Sequence, residues 1–125
     1  MTDPIAEFFD GLYRRGHERR LEKRSGIMRF DLACGEQVEH WVLAIDGGDL
    51  SVSREARDAD CVLYSDRDFF GRVVAGEAKP LTAMVRNDIR VEGKLSLFIM
   101  FERLLPGPPG ARDPRDVARE RRRQP

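Results

Sequence analysis

The chain is poor in the residues that mark metal, redox or hydrolytic chemistry. Its two cysteines, Cys34 and Cys61, lie far apart and outside any C-x-x-C or Cys/His grouping, which argues against a zinc site and against a redox dithiol. Both fall within apolar strand patterns, where cysteine serves as a small hydrophobe. The two histidines, His17 and His40, have no nucleophile near them in sequence, so no catalytic triad can be assembled around either. A phosphate loop around Gly93-Lys94 would need glycine at position 88, where Asp88 stands. No run approaches the ~20 apolar residues of a membrane span, and the N-terminus has no long apolar stretch of the signal-peptide kind. Gln124-Pro125 matches no lipidation or organelle address. The expectation is a cytoplasmic, non-enzymatic protein with no metal and no cofactor.

Net charge is also absent: 22 basic residues balance 22 acidic ones, so bulk charge draws the chain neither to nucleic acid nor to an anionic membrane. Local charge differs. Arg14 to Arg24 holds Arg14, Arg15, Arg19, Arg20, Lys23 and Arg24 against Glu18 and Glu22, and Arg121, Arg122 and Arg123 sit near the C-terminus. No aromatic residues are interleaved with the first run, so nucleic acid is not its expected partner. A solvated face is the plain reading; an anionic lipid surface is the sharper one.

The 125 residues suffice for one core. Asp3-Pro4 opens a helix carrying Ile5, Phe8, Phe9, Leu12 and Tyr13 at helical spacing, and Gly16 ends it, with the basic stretch to Arg24 readable as a frayed continuation. Met28, Phe30, Leu32 and Cys34 alternate as a strand with one buried face. After Gly35-Glu36 a second strand sets Trp41, Leu43 and Ile45 on one face, with Val42 and Ala44 on the other. Asp46-Gly47-Gly48-Asp49 is a hairpin signal leading to Leu50 and Val52. Cys61 to Tyr64 reads as an interior strand. Ser65 with Asp68 resembles a capping box for a helix with Phe69, Phe70, Val73 and Val74 inward, stopped by Gly76. Pro80 starts a short helix with Leu81, Met84 and Val85 on one face. Asn87-Asp88 then turns the chain into a fifth strand, Ile89 to Gly93.

The last helix is apolar on nearly every side. Leu97, Met100, Phe101 and Leu104 share one side, while Leu95, Phe98, Ile99 and Leu105 lie on others. One such face can pack on the sheet; the other needs a ligand, a subunit or a membrane. From Pro106 the sequence has no core residues, so residues 1–106 are expected to form the domain and 107–125 a disordered basic tail.

The order of these pieces, and the residues at their joints, resemble the sterol-binding domain of the sterol carrier protein two family. The resemblance runs from about Gly26 to Leu105 and is densest from Asp60 onward. Ala59-Asp60-Cys61-Val62-Leu63 looks like the family's strand entry, and Ser65 through Asp68-Phe69 like its helix start. Val73 to Gly76 looks like its helix end, Pro80, Ala83 and Met84 fit the next helix, and Ile89-Arg90-Val91-Glu92-Gly93 resembles its short strand. Asn87-Asp88 stands where the family usually has Gly-Lys; asparagine tolerates the left-handed backbone, while without the lysine no head-group contact is carried over to this position. The resemblance implies an α+β fold, a five-stranded, mostly antiparallel sheet backed by helices, with an internal tunnel for a sterol-like lipid, fatty acid or acyl-coenzyme A. The tunnel lining it implies comprises Phe69, Phe70, Val73, Val74, Leu81, Met84, Val85, Leu97, Phe98, Met100, Phe101 and Leu104. The alternative is an accessory module assisting a lipid-metabolising enzyme, or a homodimer formed through the last helix.

Overall fold

A computed structural model of the chain describes residues 3–106. The expected basic tail, 107–125, lies outside the described residues. Helix α1 (Pro4–Arg15) begins where the Asp3 carboxylate accepts the Ile5 N–H at 3.0 Å and ends where the Gly16 N–H reaches the Leu12 carbonyl at 3.1 Å. The basic stretch does not continue this helix. Instead a single 3₁₀ turn, Arg19–Leu21, tucks Leu21 fully out of solvent, because the chain must double back to enter the sheet.

Strands β1 (Ser25–Cys34), β2 (Gln37–Asp46) and β3 (Asp49–Ser53) form an antiparallel meander. The β2–β3 turn places Gly47 at φ 57° and Gly48 at φ 91°, the positive values a primed two-residue hairpin demands. The chain then crosses to the far side of β1, where β4 (Cys61–Asp66) pairs in parallel and β5 (Ile89–Gly93) closes the edge antiparallel to β4. The sheet order is β3-β2-β1-β4-β5, with one parallel pairing among four.

Helices α1, α2 (Arg67–Val74), α3 (Pro80–Val85) and α4 (Leu95–Glu102) complete the α+β fold. Strand alternation sends Met28, Phe30, Leu32, Trp41, Leu43 and Leu63 to one face, all buried. On that face Phe30 meets the rings of Phe9 from α1, Phe70 from α2 and Phe101 from α4, with centroids at 5.2, 5.5 and 4.9 Å. Phe9 stacks on Trp41 at 4.5 Å and nearly parallel, so one aromatic layer joins three helices to the sheet. α4 lies directly on β1: a Cβ added at Gly26 would sit 2.8 Å from a methyl of Leu97.

Three local expectations are corrected. The cap of α2 is Asp66, whose carboxylate accepts the N–H groups of Asp68 and Phe69 at 3.1 and 3.4 Å; Ser65 is still paired in the sheet with Leu32 and Ile89 and is buried. On α3 the inward side chains are Pro80 and Ala83, which leaves Leu81 and Val85, four residues apart, facing outward. Cys34 is exposed, since β1 outruns the helical layer there, whereas Cys61 is buried.

Candidate functional site

Several clefts indent the described residues, and the charges of four of them set those apart. One of about 740 Å³ lies at the β1–β2 turn end and is lined by Cys34, Gln37, Val38, Glu39, His40, Arg54, Glu55, Ala56 and Arg67. Its cations are already neutralised. Arg54 meets Glu39 at 2.6 Å, Arg67 meets Glu39 at 3.1 Å, and Arg67 also binds the Asp3 carboxylate. This network ties the cap of α1 to the start of α2 and the edge of the sheet, while Arg54 rests 4.7 Å from the centre of the Trp41 ring.

A second cleft of about 540 Å³ opens on the sheet face away from the helices, among Ala33, Val38, Tyr64, Arg90 and the Asp31–His40 pair. Asp31, 9% exposed, accepts from Arg29 at 2.9 and 3.1 Å and lies 2.7 Å from His40 Nδ1. Facing a carboxylate already held by arginine, Nδ1 carries the ring proton. Hydrogen bonding to Asp31 raises the Arg29 pKa above its ordinary value, so this side chain is a fixed cation on the open face. Arg29 also donates to the Arg57 carbonyl at 2.9 Å, which draws the β3–β4 connection over that face.

The third cleft is basic: Arg19, Arg20, Lys23, Arg24 and Arg103 line about 540 Å³ with Glu22 as its only carboxylate. Arg103 comes from the end of α4 and meets the 3₁₀ turn through its carbonyl, which accepts from Arg20 at 3.2 Å. Sequence reading places Arg14 to Arg24 in one patch but not Arg103, which is distant along the chain and is brought in only by the packing of α4. Beside the patch, His17 bridges Asp49 and Glu22 at 2.7 and 3.1 Å. Those hydrogen bonds, Asp49's first and Glu22's second, raise its pKa above the ordinary 6.5.

The fourth cleft, about 370 Å³, flanks the other side of the α4 C-terminus. Val73, Gly76, Ala78, Lys79, Pro80, Leu81, Thr82, Glu102, Leu105 and Pro106 line it. Of the twelve side chains the resemblance assigns to a ligand, Val73 and Leu81 border this cleft. Phe70, Val74, Leu97, Phe98, Met100, Phe101 and Leu104 are buried in the core behind it. Phe69 and Met84 pack half-buried against that core, and Val85 is 75% exposed. Leu105, half-buried at the cleft, was placed by sequence on a minor side of the last helix; the turn that follows α4 swings it inward.

Among the described residues no group of three or more His, Cys, Asp or Glu is placed to hold a metal ion, and no helix is long and apolar enough to cross a membrane. Burial raises the pKa of the Cys61 thiol, which keeps it protonated and unreactive. Trp41 Nε1 is buried without an acceptor, the one such side-chain atom among the described residues.

This arrangement, a layer of helices on one face of the sheet with a basic and an apolar cleft on either side of the α4 C-terminus, has a match in sequence. Residues 9–106 match the SCP-2 sterol transfer family. The chain belongs to that family. Hydroxysteroid dehydrogenase-like protein 2 of Xenopus laevis is 28% identical over 106 residues, covering 83% of this chain and 25% of its own length. The chain thus spans about a quarter of the curated relatives it matches. Among solved structures, the sterol carrier protein 2 of Aedes aegypti, in complex with the C16 fatty acid palmitate, superposes with TM-score 0.66 at 19% identity over 85% of this chain and all of its own. The sec-alkylsulfatase Pisa1 from Pseudomonas sp. superposes with TM-score 0.65 at 16% identity, covering 84% of this chain but 16% of the enzyme. The SCP-2 fold therefore occurs both as a whole small protein and as a fraction of a larger enzyme.

Proposed function

We propose that this SCP-2 domain binds and carries a hydrophobic lipid, sterol-like, fatty acid or acyl-coenzyme A, without catalysing a reaction on it. The observation that carries the reading is the surround of α4. Its buried side closes the aromatic core, its C-terminal end borders an apolar cleft at Val73, Leu81 and Leu105, and Arg103 adds a cation to the basic cleft alongside. An amphiphile with an anionic head fits such an end, its tail against Val73, Leu81 and Leu105 and its head toward Arg19, Lys23, Arg24 and Arg103. The lining assigned to the ligand beyond the cleft, from Phe69 and Phe70 through Met84 to Phe98, Met100 and Phe101, would come into contact as α4 yields to an entering chain. Each buried methylene contributes ~0.8 kcal/mol, so a fourteen-carbon chain offers on the order of 11 kcal/mol before ordering and association costs of several kcal/mol. Affinity in the micromolar range with little head-group choice follows.

The test is calorimetric titration of delipidated protein with fatty acids of increasing chain length. Affinity should rise with each added methylene and fall when Leu81→Asp puts a carboxylate in the cleft. Affinity indifferent to chain length would overturn the reading. The same basic run, Arg14 to Arg24, is the expected contact for an anionic membrane surface during loading and release.

A second reading rests on the lengths of the relatives. Because both the dehydrogenase-like relative and the alkylsulfatase hold the matching region within much longer chains, the domain would act as an accessory that presents lipid to a catalytic partner. Co-purification with a lipid-modifying enzyme, and stimulation of that enzyme by the added domain, would distinguish the two.

A further inference from the structure

Six large apolar side chains are strongly exposed among the described residues, and four of them lie on two successive helices: Leu81 and Val85 on α3, Leu95 and Ile99 on α4. The two exposed stripes are linked at one point. Leu95, Ile99 and Glu102 follow one another along one side of α4 at helical spacing, and the Glu102 carboxylate accepts the Leu81 N–H at 3.1 Å, bringing that side against the start of α3. Leu81 and Val85, one turn apart, extend the strip along α3.

Cations outnumber carboxylates around this strip, although Glu77 and Asp88 line one cleft with Lys79 and Arg86. Lys79 and Arg86 flank α3 at its two ends, and Lys94 and Arg103 flank α4. All four are exposed, and none is ion-paired among the described residues. The single carboxylate within either helix, Glu102, is occupied by the Leu81 N–H. Through Arg103 the rim runs on into the basic cleft of Arg19, Lys23 and Arg24.

We propose that the α3–α4 surface docks on an anionic lipid bilayer, with Leu81, Val85, Leu95 and Ile99 entering the acyl boundary and the four flanking cations meeting lipid phosphates. The proposal rests on the lipid-carrier reading and adds to the electrostatic contact of Arg14 to Arg24 an apolar insertion at a different place. An apolar strip alone would suit a second copy of the chain equally well. The excess of cations on the rim argues against that occupant, because a two-fold pairing through this strip would bring two net-positive surfaces together. A bilayer carrying anionic lipids offers apolar depth and the complementary charge together.

Flotation with phosphatidylcholine vesicles containing phosphatidylserine tests it. The wild-type chain should float with these vesicles and keep part of its binding at about 0.5 M salt, where exposed charges are screened. The double variant Val85→Asp/Ile99→Asp should lose about tenfold or more in vesicle affinity, including the salt-resistant part, with an unchanged melting temperature. Val85→Trp should float more strongly. A double variant that floats like the wild type would overturn the proposal. So would a wild-type chain that is dimeric by light scattering and becomes monomeric on this double substitution. Binding of a fluorescent fatty acyl probe, measured without vesicles, separates the two readings: if the probe fails to bind while flotation persists, the carrier reading falls and the docking surface stands.

Discussion

The cleft at the β1–β2 turn end and the surround of α4 both contain arginines, and they use them in opposite ways. At the first, Arg54 and Arg67 are consumed by Glu39 and Asp3, with Glu39 only 19% exposed, so the charges brace α1, α2 and the sheet edge against one another. At the second, Arg103 and Lys79 have no ion pair among the described residues and stand beside apolar side chains that no part of the described fold covers. Cleft size alone would favour the first as a ligand site, and charge pairing reverses that choice. A cation already matched by a carboxylate has little left to offer an anionic ligand, whereas an unmatched one does.

Substitutions that load each region separately sharpen this contrast. The largest effect is expected for Phe101→Ala, which removes a ring 1% exposed and in contact with the rings of Phe8, Phe30 and Phe70. Urea unfolding of the lipid-free protein should show a loss of about 3–5 kcal/mol, the packed-core value. A much smaller loss would mean that α4 seats loosely and that the ring faces a space meant for lipid. Next, Glu39→Gln strips the shared carboxylate from Arg54 and Arg67; the partly exposed pair should cost about 1–2 kcal/mol in the same assay while fatty acyl affinity holds. Any drop in affinity there would break the division between bracing and binding.

Smaller still is the effect of neutralising the basic cleft. Arg24→Gln and Arg103→Gln should each weaken attachment to anionic vesicles by about 1 kcal/mol at low salt, leave the melting temperature unchanged and flatten the dependence on salt. The smallest effect concerns His17. Its pKa in the folded chain is raised above 6.5 by hydrogen bonds to Asp49 and Glu22. The stabilisation it brings is therefore fully present below about pH 6.5 and is lost as pH rises through the higher folded value. Proton NMR titration should place the His17 midpoint above that of an unstructured peptide, and Asp49→Asn should bring it down.

Much of the sheet was readable before any coordinates, because strand alternation and turn chemistry are local. Met28, Phe30 and Leu32 fixed the inner face of β1, Gly47-Gly48 fixed the β2–β3 hairpin, and Asn87, at φ 64°, takes the left-handed position expected of it. The outward turn of Leu81 and Val85 was not readable. A six-residue helix shows too little periodicity to reveal which of two apolar sides faces in, and the shape of the neighbouring β5 edge decides it. The meeting of Arg103 with Arg19 and Arg24 was hidden for a different reason. No local pattern relates residues so far apart, and only the seating of Leu97 over Gly26 sets where α4 ends.

The path from β3 to β4 has a consequence for how the chain acquires its shape during synthesis. Because β1 is paired by β2 from nearby sequence but by β4 from across the crossover, the meander can form while one side of β1 still presents an open hydrogen-bonding edge beside the bare ring of Phe30. That edge closes through Asp60. Its carboxylate accepts from the Ile27 N–H at 2.8 Å, and its carbonyl accepts from the Lys94 N–H at 2.8 Å, where Gly93, at φ 96°, leaves no room for a side chain. The β1 edge is therefore expected to stay open until β4 has left the ribosome and the ring of Phe30 to lack its α4 cover until Phe101 follows, and chaperone dependence should be concentrated in that interval.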